Sequence, residues 1–187
     1  VLMRFGVLVR GAGSALLAWS GLLAMGIFSS LAIFALLRAF VLVVASLLGW
    51  ESAAIGRGSA LAVIVAVAAV TLFGVLNARR TARVVERDIA LRDLPPALEG
   101  FSIVQLSDIH VGPTIKQGYI DAIVRRVNGL SPALVVITGD LVDGSVADLA
   151  DDIVPLAQLS ARHGTYVVTG NHEYYSGADS WISEFER

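Results

Sequence analysis

The chain has 187 residues, 56% of them hydrophobic, and a mean hydropathy of +0.73, too apolar for an ordinary soluble domain and indicative of a membrane part. The ten basic and fifteen acidic residues from Arg79 to Arg187 leave that half with a surplus of five negative charges, which argues against a nucleic-acid partner, since such a partner calls for a basic face. There is no cysteine, which excludes a disulfide framework and a thiolate metal site.

From Val1 to Ala78 the only charges are Arg4, Arg10, Arg38, Glu51 and Arg57. Gly11 to Leu37 is uncharged and long enough to cross a bilayer, which needs about 20 apolar residues at helical rise. Gly58 to Ala78 is a second such stretch. Between them, Ala39 to Trp50 is apolar but too short to span alone, so it either extends the first helix past Arg38 or lies at the interface. Trp19 and Trp50 suit interfacial positions. Two spans put both ends of the chain on one side. Arg4 and Arg10 precede the first span, and Arg79, Arg80, Arg83 and Arg87 follow the second. The positive-inside rule therefore places the C-terminal half in the cytoplasm. The expected organisation is a membrane region over residues 1–78 with spans at about 11–37 and 58–78, a linker over 79–100, and an α/β domain over 101–187. The chain starts at Val1 and ends in the unfinished amphipathic run "SEFER", so a fragment is expected.

Within the linker, Val84 to Leu91 is a possible peripheral strand of poor alternation. Leu94-Pro95-Pro96 closes the segment, because paired prolines cannot continue a helix. The pattern then changes. Phe101–Ser107, Ala133–Thr138 and Gly164–Thr169 are short, nearly continuous runs of Val, Ile and Leu. Such runs suit strands covered on both faces, as in a parallel sheet. Between them, Ile120, Ile123, Val124, Val127 and Leu130 recur at helical spacing, as do Val146, Leu149, Ile153 and Leu156. Thr114 with Gln117, Ser145 with Asp148 and Ser176 with Asp179 have the spacing of capping boxes. Gly118 is the one local conflict, worth about 1 kcal/mol against Ala in a helix interior. The expectation is an α/β fold with a parallel βαβαβ core and right-handed crossovers.

Ligands of open α/β sheets sit beyond the carboxyl ends of the strands. Here each expected strand runs into metal-type ligands: Asp108-Ile109-His110, Gly139-Asp140-Leu141-Val142-Asp143, and Gly170-Asn171-His172-Glu173. Asp108 and His110 are two apart, so on an extended backbone their side chains point the same way. Gly139 permits a tight turn, and the two oxygens of Asp140 can bridge two ions. A set of oxygens and nitrogens without sulfur suits Mn, Fe or Zn. Each cluster alone is explained by ordinary turn chemistry. Their coincidence at three parallel strand ends points to one site. His163 precedes the third strand, at the opposite edge, and reads as a loop residue.

The blocks SDIHVG, GDLVDG and GNHE, in that order, resemble the first three signature blocks of the calcineurin-like metallophosphoesterases. The apolar first half followed by LPPALEGFSIVQLSDIHVGPT resembles their membrane-anchored bacterial branch. The resemblance implies the first half of a metallophosphoesterase α/β sandwich behind transmembrane helices. It implies that Asp108 and His110 bind one of two divalent ions, Asp140 bridges both, and Asn171 binds the second and helps hold the phosphate. His172 would be the general acid, oriented by Asp143. In the family a further histidine and a Gly-His-x-His block complete the site, and no histidine follows His172 here. The reaction implied is hydrolysis of a phosphate mono- or diester, with a lipid-linked phosphate as one candidate substrate, by a hydroxide that two metals activate. The alternative is a non-catalytic membrane protein whose phosphoesterase-like domain binds metal or a partner. A Rossmann-type nucleotide domain is disfavoured, because no G-x-G-x-x-G follows an expected strand.

Overall fold

A computed structural model describes residues 12–50 and 52–187, so Arg4, Arg10 and the expected span start at Gly11 lie outside the described residues. The chain divides into two compact units, residues 1–80 and 81–187.

Among the described residues, the first unit holds two long helices, α1 (Ala12–Leu47) and α2 (Ala53–Ala78). Ala39 to Leu47 thus continues the first helix through Arg38, and α2 begins upstream of the uncharged run, taking in Arg57. The break between them has a local cause. Gly49 takes the left-handed backbone (φ 72°), its N–H donates to Ser46 O at 3.0 Å, and Trp50 N–H donates to Ala45 O at 2.8 Å. This is the Schellman pattern that ends helices at glycine. Ser52 then caps α2, its Oγ accepting from Ile55 N–H at 3.1 Å. Both helices are long and apolar enough to cross a membrane. Among the described residues, polar contacts join them near both ends. The Arg38 guanidinium donates to Ser59 Oγ and Gly56 O, each at 3.1 Å. Arg79 lies 4.7 Å from the centroid of the Trp19 ring. An arginine on an apolar helix requires such partners, because its N–H donors are otherwise unsatisfied.

The second unit starts with an extended segment. Residues 81–91 form no strand, and Val85 and Ile89 are exposed: the weak alternation of Val84 to Leu91 finds no neighbour to pair with. A short 3₁₀ turn, Pro96–Leu98, follows the prolines. The sheet is β1 (Ile103–Leu106), β2 (Leu134–Thr138) and β3 (Thr165–Val168), in the order β1-β2-β3 with all pairs parallel. Leu106 pairs with Ile137 and Thr138 with Val168, so the three carboxyl ends are nearly level. Helices α3 (Gln117–Gly129) and α4 (Val146–Ile153) make the crossovers, and α4 continues as a 3₁₀ segment, Val154–Gln158, where Pro155 intervenes. Two short helices, α5 (Asn171–Ser176) and α6 (Ala178–Phe185), follow β3.

The core lies on one face of the sheet. Ile120, Ile123, Val124 and Val127 of α3 and Leu149 and Ile153 of α4 are buried with Val135 and Ile137. Val104, Leu106 and Val167 pack against that core. Each such side chain contributes about 1.5–3 kcal/mol by leaving water. The expectation that both faces are covered is not met among the described residues. Ile103, Tyr166 and Val168 on the opposite face are each more than half exposed. The continuous apolar runs mark both faces as apolar, while the helices fill only one.

Two helix starts also differ from expectation. Thr114 does not cap α3, which begins at Gln117. Asp152 of α4 takes that role from a distance, accepting from Gln117 N–H at 3.2 Å and pairing with Lys116 Nζ at 2.7 Å. Gly118 therefore sits in the first turn, where helix propensity weighs little. Ser176 closes α5 instead of opening α6, because Gly177 in left-handed backbone (φ 99°) separates the two. Ser145 does precede α4, with its Oγ donating to Asp148 Oδ2 at 2.6 Å.

Candidate metal centre

The loop after β1 and the loop after β2 stay zipped together beyond the strands. Asp108 N–H donates to Gly139 O (3.3 Å), His110 N–H to Asp140 O (3.1 Å), Val111 N–H to Leu141 O (2.7 Å) and Asp143 N–H to Val111 O (2.8 Å). A parallel bridge joins Val111 to Val142, and both residues, with Leu141, are buried. These apolar anchors alternate with the polar residues and hold them at the rim. From α6, the buried Trp181 donates its Nε1–H to Gly144 O at 2.9 Å and fixes the far end of the second loop.

Asp108, His110 and Asp140 all adopt left-handed backbone, with φ of 55°, 54° and 52°. The extended geometry expected for Asp108-Ile109-His110 is thus not the one found, since β1 ends at Leu106 and the chain turns sharply at once. Left-handed backbone at a non-glycine residue costs roughly 1–3 kcal/mol and persists where the surroundings impose it. Asp and His tolerate it better than most. Gly139 (φ 87°) meets the third loop so closely that an added Cβ would lie 2.5 Å from Gly170 N. Gly170 in turn packs directly on Asp140.

This packing brings the side chains together. His110 Nδ1 and His172 Nδ1 both approach Asp143 Oδ1, at 2.9 and 2.6 Å, and the two imidazole rings meet edge to face with centroids 4.5 Å apart. An imidazole that donates Nδ1–H to a carboxylate leaves Nε2 free for a metal or a proton transfer. His110 Nε2 lies 4.0 Å from Asp108 Oδ1. Ligand atoms of His110, Asp140 and His172 lie within 4.8 Å of one another. Asp108 stands at the outer margin, its side chain 66% exposed. Burial works against charge on His110. The hydrogen bond and charge of Asp143, with the charges of Asp140 and Asp108, outweigh it, so the His110 pKa is raised above the usual histidine value.

The donor set fits a divalent metal. Its atoms are carboxylate oxygens, imidazole nitrogens and an amide, the choice of Mn, Fe or Zn sites. The Asn171 amide meets the two carboxylate oxygens of Asp140 at 3.1 and 3.2 Å. With its nitrogen inward it donates to both. With its oxygen inward, three oxygens face one another, an arrangement that a cation among them satisfies. His172 N–H donates to Asp140 Oδ1 at 3.0 Å, so the third loop touches this carboxylate through both backbone and side chain. Every residue expected at the site from the sequence is therefore at this rim: Asp108, His110, Asp140, Asp143, Asn171 and His172. His163 lies away from them, its ring stacked on Phe101 at 5.4 Å.

Glu173 belongs to the third polar cluster, but its spacing assigns it no role at the site. It is 1% exposed, the one buried charged residue among those described. Its carboxylate accepts four backbone N–H groups: Gly170 (2.6 Å) and Asp140 (2.9 Å) on Oε2, Leu141 (2.7 Å) and Val142 (3.1 Å) on Oε1. The available signal was the spacing Gly170-x-x-Glu173, which puts an acid at the third position of α5, as in a capping box.

Residues 101–187 match the calcineurin-like phosphoesterase family. Over 125 residues, 66% of the chain, it is 44% identical to a "Transmembrane protein with metallophosphoesterase domain" of Bos taurus, 28% of which is covered. It is 38% identical over 101 residues, 54% of the chain, to an "Uncharacterized metallophosphoesterase" of Campylobacter jejuni, 26% of which is covered. It is 33% identical over 78 residues, 41% of the chain, to a UDP-2,3-diacylglucosamine pyrophosphatase of Chlamydia muridarum, 24% of which is covered. The matched segments thus span under a third of the length of these relatives. No solved structure is significantly similar.

Proposed function

Because residues 101–187 match the calcineurin-like phosphoesterase family, we propose that the chain is a membrane-anchored hydrolase of phosphate esters, with a two-metal centre at the three strand ends. What supports this most directly is the cluster of His110, Asp140 and His172, whose ligand atoms lie within 4.8 Å, beside Asn171 and Asp143. Asp108 and His110 would hold one ion and Asn171 the other, with the Asp140 carboxylate available to both. When bound, such ions offset charge on a phosphoryl oxygen and lower the pKa of water.

The remaining work falls to the chain's own groups. Asp143 holds the Nδ1–H of His172, which sets the tautomer and turns Nε2 outward. From Nε2, His172 gives its proton to the ester oxygen that departs as water adds to phosphorus. Proton transfer of this kind contributes typically 10²–10⁴-fold. The Asn171 amide, beside Asp140, contacts a phosphoryl oxygen and holds the substrate in line.

The membrane reading rests on α1 and α2 and on the transmembrane relatives. Arg79, Arg80, Arg83 and Arg87 directly after α2 favour a cytoplasmic domain. The diacylglucosamine-nucleotide pyrophosphatase among the relatives makes a lipid-linked phosphate the substrate class to try first. The test is hydrolysis of an aryl phosphodiester and of a lipid-linked pyrophosphate by the full-length protein in nanodiscs, with and without Mn²⁺. Metal-dependent turnover that Asp140→Asn abolishes is expected. Metal binding without turnover of any phosphate ester would move the assignment to a non-catalytic, metal-binding module.

A further inference from the structure

The buried carboxylate of Glu173 does more than start a helix. A helix-capping glutamate needs only the N–H of its own cap residue, here Gly170. The other three N–H groups that Glu173 accepts belong to Asp140, Leu141 and Val142, which lie 31–33 residues away in the second loop. Three successive backbone N–H groups turned toward one point form a nest that calls for an anion. The left-handed backbone of Asp140 is what turns them. Glu173 supplies that anion from the loop that also carries Asn171 and His172.

We infer that Glu173 is a positioning residue that sets the Asp140 carboxylate against the Asn171 amide, and so fixes the affinity of the metal centre. This inference rests on the metal reading above. The geometry is that of a brace between two ligand-bearing loops. Oε2 ties Asp140 N–H to Gly170 N–H, at 2.9 and 2.6 Å, and Gly170 packs on the Asp140 side chain. The same brace leaves His172 N–H on Asp140 Oδ1 and Asn171 within 3.2 Å of it. A neutral glutamine of the same shape has one acceptor oxygen and an NH₂. The NH₂ would face either Asp140 and Gly170 or Leu141 and Val142, donor against donor, and the two loops would part.

The test compares Mn²⁺ affinity, by competition with a chelator, in the full-length protein and four variants. E173Q is expected to weaken Mn²⁺ binding 10–100-fold, the range typical of groups that orient metal ligands. E173D keeps the charge one methylene back and is expected to recover part of that loss. Leu149→Ala removes a buried core side chain that makes none of the hydrogen bonds to Glu173, and is expected to lower stability while leaving Mn²⁺ affinity unchanged. Parental affinity in E173Q, or an equal loss in Leu149→Ala, overturns the inference. If E173Q does not fold, parental affinity in folded E173D overturns it as well. Asp140→Asn separates the two claims: should it bind Mn²⁺ like the parent, the metal reading fails, whatever Glu173 does.

Discussion

Replacing Gly170 by alanine tests how tightly the second and third loops are packed. The backbone at Gly170 (φ −101°, ψ −172°) suits any residue, so the cost is purely one of contact. The new Cβ would overlap Asp140 Oδ1 and lie 2.6 Å from Asp140 N, where ordinary contact begins at 3.4 Å. The two must therefore separate by roughly 0.8 Å. That movement carries two hydrogen bonds out of range: Asp140 N–H to Glu173 Oε2, now 2.9 Å, and His172 N–H to Asp140 Oδ1, now 3.0 Å. Hydrogen bonds to charged groups contribute about 1.5–3 kcal/mol each. Overpacking costs about 1–3 kcal/mol. Movement relieves the clash by breaking the bonds, so these costs overlap, and a loss of about 3–4 kcal/mol is expected. Gly118→Ala is the control, since nothing lies within 4 Å of its Cβ and it stands in the first turn of α3. A gain of up to about 1 kcal/mol is expected there. Urea unfolding in micelles, followed by tryptophan fluorescence, reads both, because Trp181 is fully buried and is the one tryptophan of residues 81–187. A Gly170→Ala protein within about 0.5 kcal/mol of the parent, with Mn²⁺ affinity intact, would refute the account of this contact.

Further outcomes follow from the same geometry. The raised pKa of His110 means that, without metal, its ion pair with Asp143 stabilises the fold fully below the ordinary histidine pKa, and this stabilisation fades as pH rises through the raised value. Metal requires the neutral ring, so Mn²⁺ affinity should climb with pH until that value is passed and then level off. Asp143→Asn should shift the climb to lower pH, and an unmoved profile would count against Asp143 as the cause. His172→Ala should reduce hydrolysis by 10² or more while metal content is kept. Loss of an ion instead would make His172 a ligand, as its place beside His110 and Asp140 allows. A reporter fused after Arg187 should be active on the cytoplasmic side, and an extracytoplasmic signal would reverse the topology.

Much of this fold is legible in local pattern. Ile120, Ile123, Val124 and Val127 mark one helical face because helical periodicity is a property of neighbours in the chain, and all four are buried. The three apolar runs are strands with ends within two residues of expectation, since glycine, proline and polar residues bound them. Their parallel order also follows, because a strand–helix–strand chain of this length returns in the same direction. From that order alone, Asp108, His110, Asp140, Asp143, Asn171 and His172 must gather at one edge.

What tertiary structure decided are the relations between residues far apart in sequence. Asp143 serves both histidines, which lie 33 and 29 residues from it. Asp152 caps α3 from 35 residues away, where local spacing pointed to Thr114. The left-handed turns at Asp108, His110 and Asp140 come from zipping two loops past the strand ends, and no dipeptide preference announces them. Glu173 is an acid after a histidine until the sheet register places it beneath three N–H groups of another loop. Periodicity and turn chemistry act over a few residues, so the chain declares its elements and its clusters. Which atom meets which across the cluster depends on register and close packing, and these exist only once the strands are paired.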